Sequence, residues 1–189
     1  MKMRSLKRYL YSATGLLLLL ILVMGILTWR ACQQSLLNQT LIQAVRHNDT
    51  ERVKDLLKQG ADPNARGGLF DFTDTWHPSL LDIVFRREPN TQFPALMIAA
   101  FNGDAESVRA LVERGAEVNK VMPAGSNVAG YTALIYAANR PESLPVKILL
   151  EHGANVHIKA RDGLTPLKCA TKMQYKDTIR LLKQAGATE

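Results

Sequence analysis

A short phrase recurs along this chain at nearly fixed distance, and this recurrence constrains the fold more than any other feature. The phrase begins at Gly60 as Gly-Ala-Asp-Pro-Asn, returns at Gly115 as Gly-Ala-Glu-Val-Asn and at Gly153 as Gly-Ala-Asn-Val-His, and ends as Gly186-Ala187. The steps between the glycines are 115 − 60 = 55, 153 − 115 = 38 and 186 − 153 = 33 residues. Self-similarity near 33 residues predicts a stack of helical pairs, because one such unit cannot bury its apolar face alone.

The units share an internal spacing. In the second unit, Val108, Leu111 and Val112 follow i, i+3, i+4 spacing, which predicts an amphipathic helix that ends at Gly115. Equivalent positions elsewhere are Val53, Leu56, Leu57 and Ile179, Leu181, Leu182. A leucine follows the residue twenty positions before each glycine, and these residues are Thr40, Ala95, Ala133 and Pro166. Each unit is therefore predicted to be two short helices.

At these positions the chain resembles the ankyrin repeat family. The family pattern G-x-T-P-L, followed by V-x-x-L-L-x-x-G-A-D-V-N, is matched by Gly163-Leu164-Thr165-Pro166-Leu167, by Gly130-Tyr131-Thr132-Ala133-Leu134 and by Leu56-Leu57-Lys58-Gln59-Gly60-Ala61-Asp62. The likeness covers roughly residues 37–189. It implies an all-α solenoid of helix-turn-helix units, with repeats at about 37–66, 94–120, 130–160 and 163–189.

One family residue is missing. The histidine of the family's T-P-L-H motif is replaced in every unit, by Ile42, Met97, Ile135 and Lys168. We therefore expect the hydrogen bonds that this histidine gives to the loops to be absent.

The first thirty residues predict a membrane segment. No charge lies between Arg8 and Arg30, and the 21 residues 9–29 are long enough to cross a bilayer as a helix. We interpret residues 9–29 as a signal anchor, residues 1–8 as its basic flank and 30–36 as a short linker. A cleaved signal peptide and a lipoprotein modified at Cys32 are alternatives, but Trp29 and Arg30 fit neither cleavage pattern well.

The flanking charges predict orientation. Lys2, Arg4, Lys7 and Arg8 lie before the apolar segment, whereas cations after it are sparse. Because cytoplasmic flanks are enriched in Lys and Arg, the N-terminus is expected inside and the repeats outside, in the periplasm if the source is bacterial.

The remaining charge nearly balances. Residues 1–30 hold five of the 24 Lys and Arg, which leaves 24 − 5 = 19 against 17 Asp and Glu. No basic stripe is evident, so we expect no nucleic-acid partner. The two cysteines, Cys32 and Cys169, are expected to be separate thiols.

Two irregular segments interrupt the repeats. The larger one lies within 67–93 and adds 55 − 33 = 22 residues. Within it, Leu80–Phe85 resembles a first ankyrin helix, which is predicted to end at Pro89. It is an insert or a degenerate repeat. Its aromatic residues are Phe70, Phe72, Trp76, Phe85 and Phe93. They either pack internally or stay exposed as partner anchors, for which Phe72 and Trp76 are our candidates. The smaller one, residues 121–130, contains Pro and Gly and is predicted to be a flexible extended finger between repeats or, alternatively, a neutral surface loop.

No catalytic motif is present. Asp71, Asp74 and His77 could approach a cation, but three ligands on one loop are weak evidence for a metal site. We expect no cofactor, no metal, no small-molecule substrate and no enzymatic activity.

The resemblance implies a module that binds another protein through its ankyrin loops, and with the apolar N-terminal segment and the aromatic insert we predict a membrane-tethered scaffold or stabiliser that uses both the loops and the insert. Alternatives are an immunity-type neutraliser of a toxin or secreted lipase, a metal-assisted enzyme using the insert aspartates, and a structural spacer. The candidate partner contacts are Arg66, Phe72, Trp76, Lys120, Met122, Tyr131 and Arg161.

Overall fold

A computed structural model describes residues 2–67, 92–126 and 128–188, with side chains from residue 17 onward. Within these ranges the chain forms eight helices and two very short strands. In chain order they are α1 (Lys2–Arg46), α2 (Thr50–Lys58), β1 (Arg66–Gly67), β2 (Phe93–Pro94), α3 (Ala95–Asn102), α4 (Ala105–Glu113), α5 (Ala133–Ala138), α6 (Ser143–Glu151), α7 (Pro166–Met173) and α8 (Lys176–Gln184). They fall into two compact units that meet at Leu36–Leu37.

The first unit contains the part of α1 that ends at Leu36. A stretch of this helix, Leu17–Arg46, is long and apolar enough to cross a membrane. Signal sequences near an N-terminus can have the same length and apolar composition. The large apolar side chains of residues 17–36 are exposed, among them Leu18, Ile21 and Trp29. Residues 30–36, which we expected to be a linker, are helical.

The second unit is the predicted stack of helical pairs. The end of α1, α3, α5 and α7 supply the first helices of four repeats, and α2, α4, α6 and α8 supply the second helices. First helices pack on first helices and second on second, α3 on α5 on α7 and α2 on α4 on α6 on α8. A single hydrophobic core runs through all four pairs. The all-α solenoid is confirmed.

The sequence explains where these helices begin. Thr132 Oγ1 accepts a hydrogen bond from the Ile135 N–H, 3.3 Å away, and Thr165 Oγ1 accepts one from the Lys168 N–H, 3.2 Å away. A threonine at this position satisfies an N–H group that the first helical turn leaves without a partner. Two of the second helices use aspartate, since Asp49 Oδ1 accepts from the Arg52 N–H and Asp104 Oδ1 accepts from the Ser107 N–H, both at 3.1 Å.

The spacing of apolar residues explains which faces are buried. On α4, Val108 and Leu111 are fully buried, as are Val53 on α2 and Leu182 on α8. Each such side chain contributes about 1.5–3 kcal/mol relative to exposure, which is what holds a pair against its neighbour.

The larger insert begins and ends at a two-residue antiparallel ladder. Arg66 pairs with Pro94, and Gly67 pairs with Phe93. The Ala95 N–H also donates to the Ala65 carbonyl at 2.9 Å. The ends of the insert are thus held together at the base of the first repeat. The helix predicted at Leu80–Phe85 and the aromatics Phe70 and Phe85 lie outside the described residues.

The positions where the family has histidine are part of the core. Ile42, Met97 and Ile135 are each at most 3% exposed, whereas Lys168, in the last repeat, is exposed. Apolar packing thus replaces a polar residue at three of the four sites. The loops obtain their hydrogen bonds from other side chains.

Candidate partner-binding face

The loops that join each second helix to the next first helix form a row. We call the segments 60–67, 115–131 and 153–164 the finger row, with residue 127 outside the described structure. Each segment begins at the glycine of the recurring phrase, and Gly115, for example, has φ +89° directly after α4. This left-handed conformation ends the helix and turns the chain into the finger.

Asparagine side chains connect neighbouring fingers. Asn64 Oδ1 accepts from the Glu117 N–H at 2.8 Å, and its Nδ2 donates to the Gly115 carbonyl at 3.4 Å. Asn119 repeats the arrangement one unit later, accepting from the Asn155 N–H at 2.8 Å and donating to the Gly153 carbonyl at 2.9 Å. The fingers therefore have inter-repeat hydrogen bonds, and these are made by asparagine side chains rather than by a histidine.

The second finger is a small hairpin. The Met122 N–H donates to the Tyr131 carbonyl at 2.9 Å, and the Gly130 N–H donates to the Met122 carbonyl at 3.0 Å. The hairpin is joined to the third finger, because the Arg161 N–H donates to the Ala129 carbonyl at 3.0 Å. The described part of the segment 121–130 is thus hydrogen-bonded both within itself and to the third finger.

A tyrosine–carboxylate pair joins the same two fingers through side chains. The Tyr131 hydroxyl donates to Asp162 Oδ2 at 2.7 Å. Burial and the adjacent Asp162 carboxylate both raise the pKa of Tyr131. Burial and the same carboxylate raise the pKa of the neighbouring Cys169 thiol to about 11, so this buried cysteine is protonated at neutral pH. Cys169 is a packing residue.

An aromatic cluster lies beneath these fingers. The ring of Tyr136, on α5, makes edge contacts with Phe93 at 6.1 Å and with Phe101 at 5.9 Å between centroids. Tyr131 lies 5.3 Å away at a tilt of 42°, and the Arg140 guanidinium stacks 4.6 Å from the Phe101 centroid. Burial and the neighbouring Tyr131 raise the pKa of Tyr136. Its buried hydroxyl has no hydrogen-bond partner among the described residues, which costs stability. Phe93, the described aromatic of the insert, packs internally.

The predicted contact residues are distributed unevenly. Arg66 and Arg161 are exposed on the first and third fingers, and Tyr131 is half-buried. Lys120 is half-buried and pairs with Glu117 at 2.7 Å. Met122 is only 3% exposed, so its side chain belongs to the core and does not reach a partner. Phe72 and Trp76 lie outside the described residues.

Sequence reasoning missed the residues that join the fingers. The signal for the asparagines was present, because Asn64 and Asn119 both stand four residues after the glycine of the phrase. The pairing of Tyr131 with Asp162 had no sequence signal, since 31 residues separate them. Over the described ranges, no group of three or more His, Cys, Asp or Glu side chains could hold a metal ion. The candidate ligands Asp71, Asp74 and His77 are not among those residues.

Stacked helix-turn-helix pairs with hydrogen-bonded fingers define a helical solenoid of about 33 residues per unit. Family models for ankyrin repeats match residues 96–188, in three copies, and residues 40–68. The chain belongs to the ankyrin repeat family, whose members are generally interaction modules without enzymatic activity.

Curated relatives share this repeat region. The ankyrin repeat protein FPV031 of Fowlpox virus is 30% identical over 147 residues, which is 78% of this chain and 36% of that protein. Ankyrin repeat and SAM domain-containing protein 6 of Rattus norvegicus is 37% identical over 46% of this chain and 10% of its own length. L-asparaginase of Dirofilaria immitis is 38% identical over 50% of this chain, but over only 15% of that enzyme. The chain thus spans about a third or less of these relatives.

Proposed function

We propose that the protein is a membrane-tethered module that binds another protein through its finger row. The observation that carries this proposal is the set of hydrogen bonds between consecutive fingers, made by Asn64, by Asn119 and by the Tyr131–Asp162 pair. Loops joined in this way lose little further freedom when a partner binds, so less of the binding free energy is lost to ordering them. Arg66 and Arg161 are exposed at opposite ends of the row and are our principal contact candidates.

The tether is the second part of the proposal. Residues 9–29 cross the membrane, with the basic residues 1–8 in the cytoplasm and the repeats outside. This arrangement is supported by the length and apolar composition of α1 and by the exposure of the large side chains of residues 17–36. Alkaline carbonate extraction should leave the protein in the membrane pellet, and a periplasmic reporter enzyme fused after residue 189 should be active. Release into the supernatant, or activity of only a cytoplasmic reporter, contradicts the tether or its orientation.

Site-specific photocross-linking tests the binding face. A benzophenone amino acid is placed in the full-length chain at Arg66 or Arg161, and at the exposed controls Lys58 and Lys147 on α2 and α6. In membranes of the source organism, the finger positions should give one discrete cross-linked protein and the controls should not. Equal cross-linking from the controls contradicts the assigned face, and no product from any position contradicts the binding function.

The partner's own activity then separates two modes of action. A scaffold or stabiliser leaves the bound partner active, whereas a neutraliser abolishes its activity in a stable complex. We favour the scaffold, and loss of partner activity in the purified complex decides for the neutraliser.

A further inference from the structure

The charge of the repeat domain is concentrated in its last repeat. Residues 153–188 contain seven Lys and Arg and two Asp, a net charge of 7 − 2 = +5. By the same count, residues 37–67 carry 5 − 4 = +1, residues 92–126 carry 3 − 4 = −1, and residues 128–152 carry 2 − 2 = 0. The near balance of the whole domain therefore conceals one strongly basic repeat.

Four of these cations lie on the third finger and on α7, which follows it in the chain, and we call them the basic patch: Lys159, Arg161, Lys168 and Lys172. Lys159 and Arg161 are on the third finger, and the Lys159 side chain extends over Gly163, close to the start of α7. Lys168 and Lys172 are four residues apart on α7 and so lie on the same face of that helix. All four side chains are exposed.

No carboxylate of the described structure pairs with the basic patch. Cations of the earlier repeats have acidic neighbours, as in Lys58–Asp55 at 3.1 Å and Lys147–Glu151 at 3.9 Å. In residues 153–188, the ion pair present is Arg180–Asp177, on α8. Asp162, the acid closest in sequence to the patch, accepts hydrogen bonds from the Tyr131 hydroxyl and the Leu164 N–H instead.

We propose that the basic patch binds an acidic segment of the partner protein, rich in Asp and Glu side chains. This inference rests on the proposed function and names the chemistry of its ligand. Four like charges within a few turns repel each other, so the patch lowers the stability of the free protein and gains from an oppositely charged ligand. The patch also continues the finger row, the face assigned to partner contact.

The surroundings favour a polypeptide over a lipid surface or a nucleic acid. Proteins that lie on membranes combine cations with apolar side chains that enter the lipid. Among the described residues 153–188, Met173 is the exposed large hydrophobic side chain, at 43%. Single-stranded nucleic acid is usually held by exposed aromatic side chains on which bases stack. The aromatic side chains near the patch in the described structure, Tyr131 and Tyr175, are both half-buried, and Tyr131 is hydrogen-bonded to Asp162.

A direct binding measurement tests the proposal on the full-length chain in neutral detergent. The probe is a fluorescently labelled peptide of alternating Glu and Ser, and a Gln–Ser peptide serves as the uncharged control. Fluorescence anisotropy should show binding of the Glu–Ser peptide that weakens about tenfold between low and physiological salt, because exposed charges are screened within about 8 Å. Equal binding of the Gln–Ser peptide overturns the proposal.

Charge-matched variants locate the site. The triple variant Lys159→Glu, Lys168→Glu, Lys172→Glu should bind the peptide at least about tenfold more weakly. The control Lys58→Glu, Arg109→Glu, Lys147→Glu makes the same change in net charge on second helices and should stay within about twofold of the wild type. If the Glu variant fails to fold, the milder variant Lys159→Gln, Lys168→Gln, Lys172→Gln takes its place. It should also lose binding of the peptide. Equal losses in patch and control variants overturn the assignment.

Two further arms distinguish the alternatives. Patch-dependent binding to phosphatidylglycerol nanodiscs or to a thymidine oligonucleotide that is tighter than binding to the peptide assigns the patch to that ligand class and overturns the proposal. Photocross-linking from Arg66 is repeated with the patch variants. If they capture the same partner as well as the wild type does, this inference fails and the proposed function stands. If the wild type captures no protein, the proposed function itself fails.

Discussion

Substituting Gly130 tests the packing between the second and third fingers. Gly130 has φ +84°, and a methyl group at its Cα would lie 2.8 Å from Ala160 Cα and 3.1 Å from the Arg161 nitrogen. These are backbone atoms, so no flexible side chain can move aside. Gly130→Ala therefore introduces both an unfavourable conformation and a steric conflict at the junction of two repeats.

The magnitude follows from a matched glycine. Gly153 has nearly the same conformation, φ +79°, but nothing lies within 4 Å of a methyl group there. Gly153→Ala should lower the free energy of unfolding by about 1–2 kcal/mol, the cost of a left-handed conformation for an L-residue. Gly130→Ala should cost the same plus about 1–3 kcal/mol for overpacking, or about 2–5 kcal/mol in total.

Thermal unfolding of the full-length chain, followed by circular dichroism in neutral detergent, measures the difference. For a domain of this size each kcal/mol lowers Tm by about 2–4 °C, so Gly130→Ala should melt several degrees below Gly153→Ala. Equal melting temperatures for the two variants refute the close contact between the hairpin finger and Ala160.

Further predictions concern single side chains in the finger row and on the helices beneath it. Tyr136→Phe should leave stability unchanged or raise it by about 1 kcal/mol, because it removes a buried hydroxyl that has no hydrogen-bond partner in the described structure. Tyr131→Phe should lower stability by about 1 kcal/mol, because it removes the hydrogen bond to Asp162, and the opposite order of the two variants in urea denaturation would contradict these assignments. Asn119→Ala should lower the free energy of unfolding by about 1–2 kcal/mol, because it removes two inter-repeat hydrogen bonds. His157→Ala, at the equivalent position of the next finger, should change it by no more than about 0.5 kcal/mol. Equal effects of the two substitutions argue against the role of the Asn119 amide. At pH 8, the Cys169 thiol, with a pKa raised to about 11 by burial, should react with iodoacetamide only after unfolding, as mass spectrometry of the labelled peptide can show.

Much of the fold could be predicted because its causes are local and repeated. The spacing of Val108, Leu111 and Val112 depends only on helical geometry, and the structure buries all three side chains. The glycine of each phrase marks a helix end for a conformational reason that recurs in every unit. Because the same pattern of apolar residues and glycine recurs at the same internal spacing, it predicts four repeats.

The candidate site could be predicted less well because it depends on contacts between repeats. Met122 was expected to contact a partner, but the hairpin formed with Tyr131 turns its side chain into the core. Total charge concealed the basic last repeat, which becomes visible only when charge is counted unit by unit. The pairing of Tyr131 with Asp162 depends on how two repeats align, which composition does not encode.

Hydrogen–deuterium exchange of the full-length chain, alone and bound to the partner captured by cross-linking, tests the central claim most directly. If the partner binds the finger row, amide protection should increase in the segments 60–67, 115–131 and 153–164 and change little in α2, α4 and α6. Protection confined to those second helices, with unchanged exchange in the fingers, would contradict it.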